Sequence, residues 1–201
     1  LKYRPHLERD GRVDPQLADI TVSHLLQHTA GWDRDESFDP IARVPAIARS
    51  LRKRPPLGPE DLVRFMLGRP LDFTPGERYA YSNVGYLVLG RIIAQVARRE
   101  YEPFVREQIL ASLGVTRPQL GKALWEQRVP GEVRYYDRQQ RTAPAIVGRS
   151  LGRPVPLQYG GENLDNFEAH GGWIASAVDL VRFACAFDDP ARCPLLKPET
   201  I

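Results

Sequence analysis

Long hydrophobic runs are missing from this chain of 201 residues. The most apolar stretch, residues 84–97, is broken by Arg91 and Gln95. It falls short of the roughly 18 consecutive apolar residues that a membrane-crossing helix needs. Cysteine is scarce: Cys185 and Cys193 are the only two, too few for a disulfide scaffold. They stand eight positions apart, so a single bridge in an oxidising compartment and two separate thiols are both open. No Gly-rich phosphate loop occurs. Lysine is also rare. Of the 28 basic residues only Lys2, Lys53, Lys122 and Lys197 are lysine; the other 24 are arginine. These arginines are scattered, and the one dense patch, Arg49, Arg52, Lys53 and Arg54, ends at Pro55-Pro56. It reads as a solvated helix end, because a nucleic-acid surface needs cations gathered on one face with interleaved aromatics.

What remains is a chain with 42% hydrophobic and 26% charged residues and a net charge of only +3. That balance excludes a disordered tail, a coiled coil and a collagen-like fibre. The length corresponds to one domain, large enough to bury a core. No internal repeat is present. Helix signals dominate. Residues 21–30 carry an apolar stripe ending at Gly31, and 59–68 open with Pro59, Glu60 and Asp61, which suit a helix N-terminus. Residues 84–99 form the most apolar helix, with Leu87, Val88, Ile92, Ile93 and Val96 on one face. Further helices are expected over 102–113 and 177–188, the latter capped by Ser176 with Asp179 completing a capping box. A turn of helix is expected near 41–51 and a strand over 132–136, where polar and apolar residues alternate.

The informative stretch runs from Phe73 to Asn83. Pro75-Gly76 has the chemistry of a type II turn. The chain then extends to Tyr81, and Ser82 or Asn83 caps the long apolar helix. Tyr81 and Asn83 are thus mounted at a loop-to-helix junction, where a side chain can enter a cleft from a rigid base. With eight Tyr and three Asn, a Tyr-x-Asn tripeptide arises by chance about 0.12 times in this chain. An ordinary cap beside a packed Tyr explains the tripeptide equally well.

Three blocks extend the pattern. They are Ile20-Thr21-Val22-Ser23-His24-Leu25-Leu26-Gln27-His28-Thr29-Ala30-Gly31, then Phe73-Thr74-Pro75-Gly76 through Tyr81-Ser82-Asn83-Val84-Gly85-Tyr86, then Gly171-Gly172-Trp173-Ile174-Ala175-Ser176 with Asp179-Leu180 and Arg182-Phe183. In this order they resemble the serine hydrolases of the class C β-lactamase, penicillin-binding protein and related esterase superfamily. The resemblance implies an α/β (α+β) fold of the β-lactamase/transpeptidase type, with this chain supplying mostly the helical part and a few short strands. It implies acyl-enzyme chemistry on an ester, an amide or D-peptide, or a β-lactam. A serine hydroxyl needs a neighbouring base. In the superfamily a Lys three positions after the Ser and the Tyr of Tyr-x-Asn flank it, and a close ammonium favours the phenolate. By this resemblance Tyr81 is the general base and Asn83 holds the Lys and the substrate amide. No metal or other cofactor is implied, and the partner is a small-molecule or peptide acyl substrate, not a nucleic acid. The resemblance favours a periplasmic or secreted location.

The nucleophile does not stand where the resemblance wants it. Among the serines only Ser50 has Lys three positions on, at Lys53. It follows the His-Thr-Ala-Gly block instead of preceding it and runs into Pro55-Pro56, so a basic surface segment is the plainer reading. His170-Gly171-Gly172 imitates the superfamily's His-x-Gly strand motif but leads into a capped helix. His170 and Gly171 are therefore candidates for a substrate-binding rim, with a close-packed turn as the alternative. Residues 1–201 are then expected to form a single incomplete domain, with the nucleophile segment before Leu1 and closing strands after Ile201. Such a chain is inert alone and shows an exposed apolar flank. Two other readings stand beside it: a non-catalytic relative that binds peptide or cell-wall material or acts as a scaffold, and an independent helical interaction domain with a complete core. His24 and His28 are expected to be structural, because a zinc pair lacks a third ligand. Asp33, Asp35, Glu36 and Asp39 lack a calcium loop's spacing and read as a solvated loop.

Overall fold

A computed structural model describes residues 2–8 and 11–200. Helices dominate it: α1 (Val22–Leu26), α2 (Val44–Ser50), α3 (Pro59–Met66), α4 (Asn83–Ala97), α5 (Tyr101–Phe104), α6 (Glu168–Gly171) and α7 (Ala177–Cys185). After α5 the chain keeps turning through a wider-wound segment, Val105–Leu110, and a tighter one, Ala111–Leu113, so the expected helix over 102–113 changes winding midway. The described strands form two short antiparallel pairs. β1 (Gln119–Leu120) pairs with β4 (Trp173–Ile174), and β2 (Thr142–Pro144) pairs with β3 (Pro154–Pro156). This is the helix-rich composition the sequence implies.

The core lies between α3 and α4. Leu62, Val63 and Leu87 are wholly buried, with Ile47, Leu57, Trp32, Met66 and Val84 packed around them. Pro59 sets the first turn of α3, and Asp61 reaches back to the Gly58 N–H. Ser82 caps α4 by accepting from the Gly85 N–H, and Gly85 packs against Leu25 of α1. The burial differs from the expected stripe. The first half of α4 is buried nearly all round, Arg91 included, while Val96 is 79% exposed. Arg91 is held by Glu168 of α6, which explains how a cation is tolerated inside.

Three local expectations are corrected. Helix α1 stops at Leu26, because His28 turns left-handed at φ 55 and sends the chain off toward Gly31. Residues 132–136 pair with no strand among the described residues: Val133 and Tyr136 are strongly exposed, and Tyr135 is held by side chains, its N–H on the Tyr159 hydroxyl, its carbonyl accepting from Gln158 and its ring stacked on Tyr159. Alternation without a partner does not make a strand. Helix α7 has its expected capping box, but Asp179 is its only buried side chain. Val178, Leu180 and Val181 are 55%, 59% and 61% exposed. Cys185 and Cys193 are unbridged.

Candidate active site

Two irregular segments build the mount for Tyr81. Residues 28–31 run beside 72–80, joined by the Ala80 N–H to the His28 carbonyl (2.9 Å), Gly76 to Thr29 (2.8 Å) and Asp72 to Gly31 (2.8 Å). Gly31 sits at φ +101 with no room for a Cβ, which would fall 2.7 Å from the Phe73 carbonyl oxygen. The turn at Thr74–Glu77 closes with a 3.0 Å bond, with Gly76 at φ 87 as a type II turn requires.

At the end of this ribbon Tyr81 stands 38% exposed. Its hydroxyl donates to Asn83 Oδ1 at 3.0 Å. The His28 ring stacks on the Tyr81 ring with centroids 4.8 Å apart, and on Tyr86 at 5.0 Å. The Ser82 N–H donates to His28 Nδ1 at 3.2 Å, so that nitrogen is an acceptor and the ring proton lies on Nε2. Burial holds the His28 pKa below the usual imidazole range. The Arg34 guanidinium lies 4.6 Å from the Tyr81 ring centroid. One polar hydroxyl is thus presented at a helix mouth, on a ring braced by a neutral imidazole and a cation.

The acidic stretch is a loop with residues 34–37 exposed, as its composition indicates, but it is tethered. Arg78 binds Asp33 at 2.8 Å and Glu36 at 2.6 Å, which ties that stretch to the Tyr81 ribbon. The Arg78 guanidinium keeps the Asp33 carboxyl below the usual range. Asp39 Oδ1 accepts from the Ile41 N–H at 3.0 Å, and Oδ2 accepts from Asn83 Nδ2 at 2.5 Å. Asp39, His28 and Arg34 are the neighbours sequence reasoning missed. Asp39-Pro40 carries a helix-start signal that could have placed Asp39 at a cap, but nothing local points to Asn83.

His170 lies in α6, its Nε2 3.2 Å from the Asn166 carbonyl oxygen and its ring against Phe167. Burial lowers its pKa, and the Asp39 charge partly opposes that shift. Gly171 is exposed at φ 150, its N–H spent on the Phe167 carbonyl, with no described contact to Tyr81 or Asn83. His24 and His28 do not share a helix face. His24 Nδ1 accepts from the Thr21 N–H in the α1 capping box, so both imidazoles serve the backbone. Ser50 contacts His6 and Glu8, while Lys53 pairs with Asp61, so this Ser and Lys do not meet.

The family model described as Beta-lactamase matches residues 2–199, and the chain belongs to that family. It is 28% identical over 190 residues to "Probable fimbrial assembly protein FimD, serogroup H1" of Dichelobacter nodosus, across 94% of this chain and 41% of that protein. The fold is similar to a D-stereospecific amidohydrolase from Streptomyces sp., with a TM-score of 0.57 and 24% identity over 88% of this chain and 48% of the other. It is also similar to EstCE1, a hydrolase with promiscuous acyltransferase activity, with a TM-score of 0.57 and 20% identity over 98% and 51%. The chain thus spans about two fifths to one half of the length of the proteins it matches.

Proposed function

We propose that this chain carries the Tyr-x-Asn half of a serine hydrolase site that acts on an ester, an amide or D-peptide, or a β-lactam through an acyl-enzyme. The observation that carries the reading is Tyr81, 38% exposed at the mouth of α4, with its hydroxyl hydrogen-bonded at 3.0 Å to Asn83 Oδ1. A tyrosine with only a packing role would bury that hydroxyl or spend it on a backbone carbonyl, as Tyr86 does with Leu26 at 3.2 Å. In this reading the serine and its lysine come from outside residues 1–201. Tyr81 first loses its proton to solvent, the lysine ammonium favouring the phenolate; the serine oxygen then attacks the acyl carbonyl and hands its proton to that phenolate. The tetrahedral adduct collapses, the bond to the leaving group breaks, and Tyr81 returns the proton to that group. Water then cleaves the acyl-serine ester by the same route in reverse. Asn83 positions the lysine and the substrate amide, and His170 contributes to the rim. The likeness to the amidohydrolase and EstCE1 supports an acyl substrate.

In the full-length protein, Tyr81→Phe should lower kcat/KM on an activated ester by about 10²–10⁴-fold, the usual worth of a positioned acid–base group. The 201-residue chain alone should take up no fluorophosphonate. Labelling of this chain, or a Tyr81→Phe variant with normal turnover, refutes the assignment. A second reading, a non-catalytic assembly or scaffold role, is favoured by the likeness to the fimbrial assembly protein. It predicts that the full-length protein neither takes up the label nor turns over any ester.

A further inference from the structure

We infer that Asp39 is a positioning residue that fixes which end of the Asn83 amide faces the Tyr81 hydroxyl. This rests on the reading that Tyr81 and Asn83 act on an acyl substrate. An asparagine side chain offers an acceptor oxygen at one end and a donor NH₂ at the other, and the two ends are nearly the same shape. Packing alone therefore does not choose between them. A carboxylate does, because it only accepts. Asp39 Oδ2 lies 2.5 Å from the amide nitrogen of Asn83, and a hydrogen bond to a carboxylate is stronger than one between neutral groups. Turned over, the amide would set oxygen against carboxylate with no proton between them. The oxygen end is thereby held toward Tyr81, 3.0 Å from its hydroxyl.

Asp39 is itself held. Its other oxygen caps the helical turn Pro40–Arg43 through the Ile41 N–H at 3.0 Å, and Pro40 is buried. The chain of restraint runs from a buried proline through a carboxylate to an amide and then to the phenol. The consequence is chemical. An amide oxygen accepts from the protonated phenol but has nothing to give a phenolate. The hydroxyl is aimed without its deprotonated form being trapped by the donor NH₂, and the oxygen is free to take another donor once the proton has moved.

The test uses two substitutions that both keep a side-chain oxygen to cap the turn. Asp39→Asn is isosteric and charge-neutral, but with its oxygen on Ile41 it presents NH₂ to Asn83 and favours the reversed amide. Asp39→Ser is too short to reach Asn83 and leaves the amide free to adopt either orientation. In the full-length protein, with an activated ester, Asp39→Asn should lower kcat by roughly ten-fold or more, with KM held within about two-fold. Asp39→Ser should lose less, and thermal midpoints should stay close to wild type. An Asp39→Asn variant with wild-type kcat overturns the inference. So does an Asp39→Ser variant as impaired as Asp39→Asn, because bulk or charge would then matter and not the direction of the hydrogen bond. Tyr81→Phe measured alongside separates the two levels. If it is inactive while Asp39→Asn is normal, only the Asp39 assignment fails. If it is fully active, or if the wild-type protein turns over no substrate, the acyl-transfer reading fails and takes this inference with it.

Discussion

Helices α4 and α7 begin in the same way and end in opposite environments. Ser82 caps α4 through the Gly85 N–H at 3.4 Å, and Ser176 caps α7 through the Asp179 N–H at 3.2 Å. Both carry apolar side chains on successive turns. Yet α4 buries Val84, Leu87, Val88 and Leu89, while α7 leaves Val178, Leu180 and Val181 more than half exposed. Full burial of one such aliphatic side chain stabilises by about 1.5–3 kcal/mol, so the two helices differ in what holds them. Tertiary packing holds α4. Helix α7 has nine residues, below the ~12–15 at which an isolated helix becomes even marginal in water. It leans on its cap: Asp179 accepts from the Ser176 N–H and hydroxyl and from Arg117, and the Ser176 hydroxyl bond first, with Arg117 adding to it, holds that carboxyl below the usual range. Caps start a helix, and burial decides how firmly it stays.

The largest expected effect tests the buried side of this contrast. Leu87 is 0% exposed in the heart of the core. Leu87→Ala should destabilise the protein by about 2–5 kcal/mol, the range for a truncated buried leucine, as read from urea unfolding. A loss under about 1 kcal/mol would mean that α4 is not the tightly packed element described.

An acid titration gives a smaller separation. Burial lowers the pKa of both His28 and His170. The folded state then binds those protons more weakly than the unfolded state, whose imidazoles titrate near ~6.5. Stability from the neutral rings is complete above that value and declines as pH falls through it toward the folded pKa. Glu162 and Glu168, raised by burial, pull the other way in mild acid. The comparison is therefore between wild type and a His28→Asn, His170→Asn variant, which should lose stability less steeply between pH 6.5 and 5. Amide exchange in α7, which carries no histidine, should not respond to this pair of substitutions. Equal slopes in the two proteins would show that neither imidazole is held neutral by the fold.

The same contrast explains which parts of the molecule could be read from sequence. Tyr81 and Asn83 were legible because their mount is local: a Pro-Gly turn, an extended run and a serine cap lie within eleven residues. The partners that aim them were not. His28 and Asp39 reach the site from 54 and 44 positions away, through the bonds to Ser82 and Asn83, and no periodicity encodes such a meeting. The tether of the acidic loop was illegible for the same reason, since the cation that binds it, Arg78, lies 45 positions from Asp33. Helix α7 was legible as a helix and illegible as an exposed one, because an apolar stripe records a capacity for burial and not the neighbour that supplies it.

The smallest expected effect probes that last point most directly. Leu180 is 59% exposed on α7 and lies outside the buried core cluster. Leu180→Ser removes apolar surface that water already reaches, so the transfer term is small, and the change in helix propensity is a few tenths of a kcal/mol. The variant should unfold within about 0.5 kcal/mol of wild type and bind less of a dye that lights up on exposed apolar surface. The contrast with Leu87→Ala is then the contrast between two leucines on two similarly capped helices, one inside and one outside. If Leu180→Ser instead costs as much as Leu87→Ala, the face is covered in solution. A midpoint that rises with protein concentration would then place the cover on another molecule. Either result turns on burial, because the caps of both helices are untouched by the substitution.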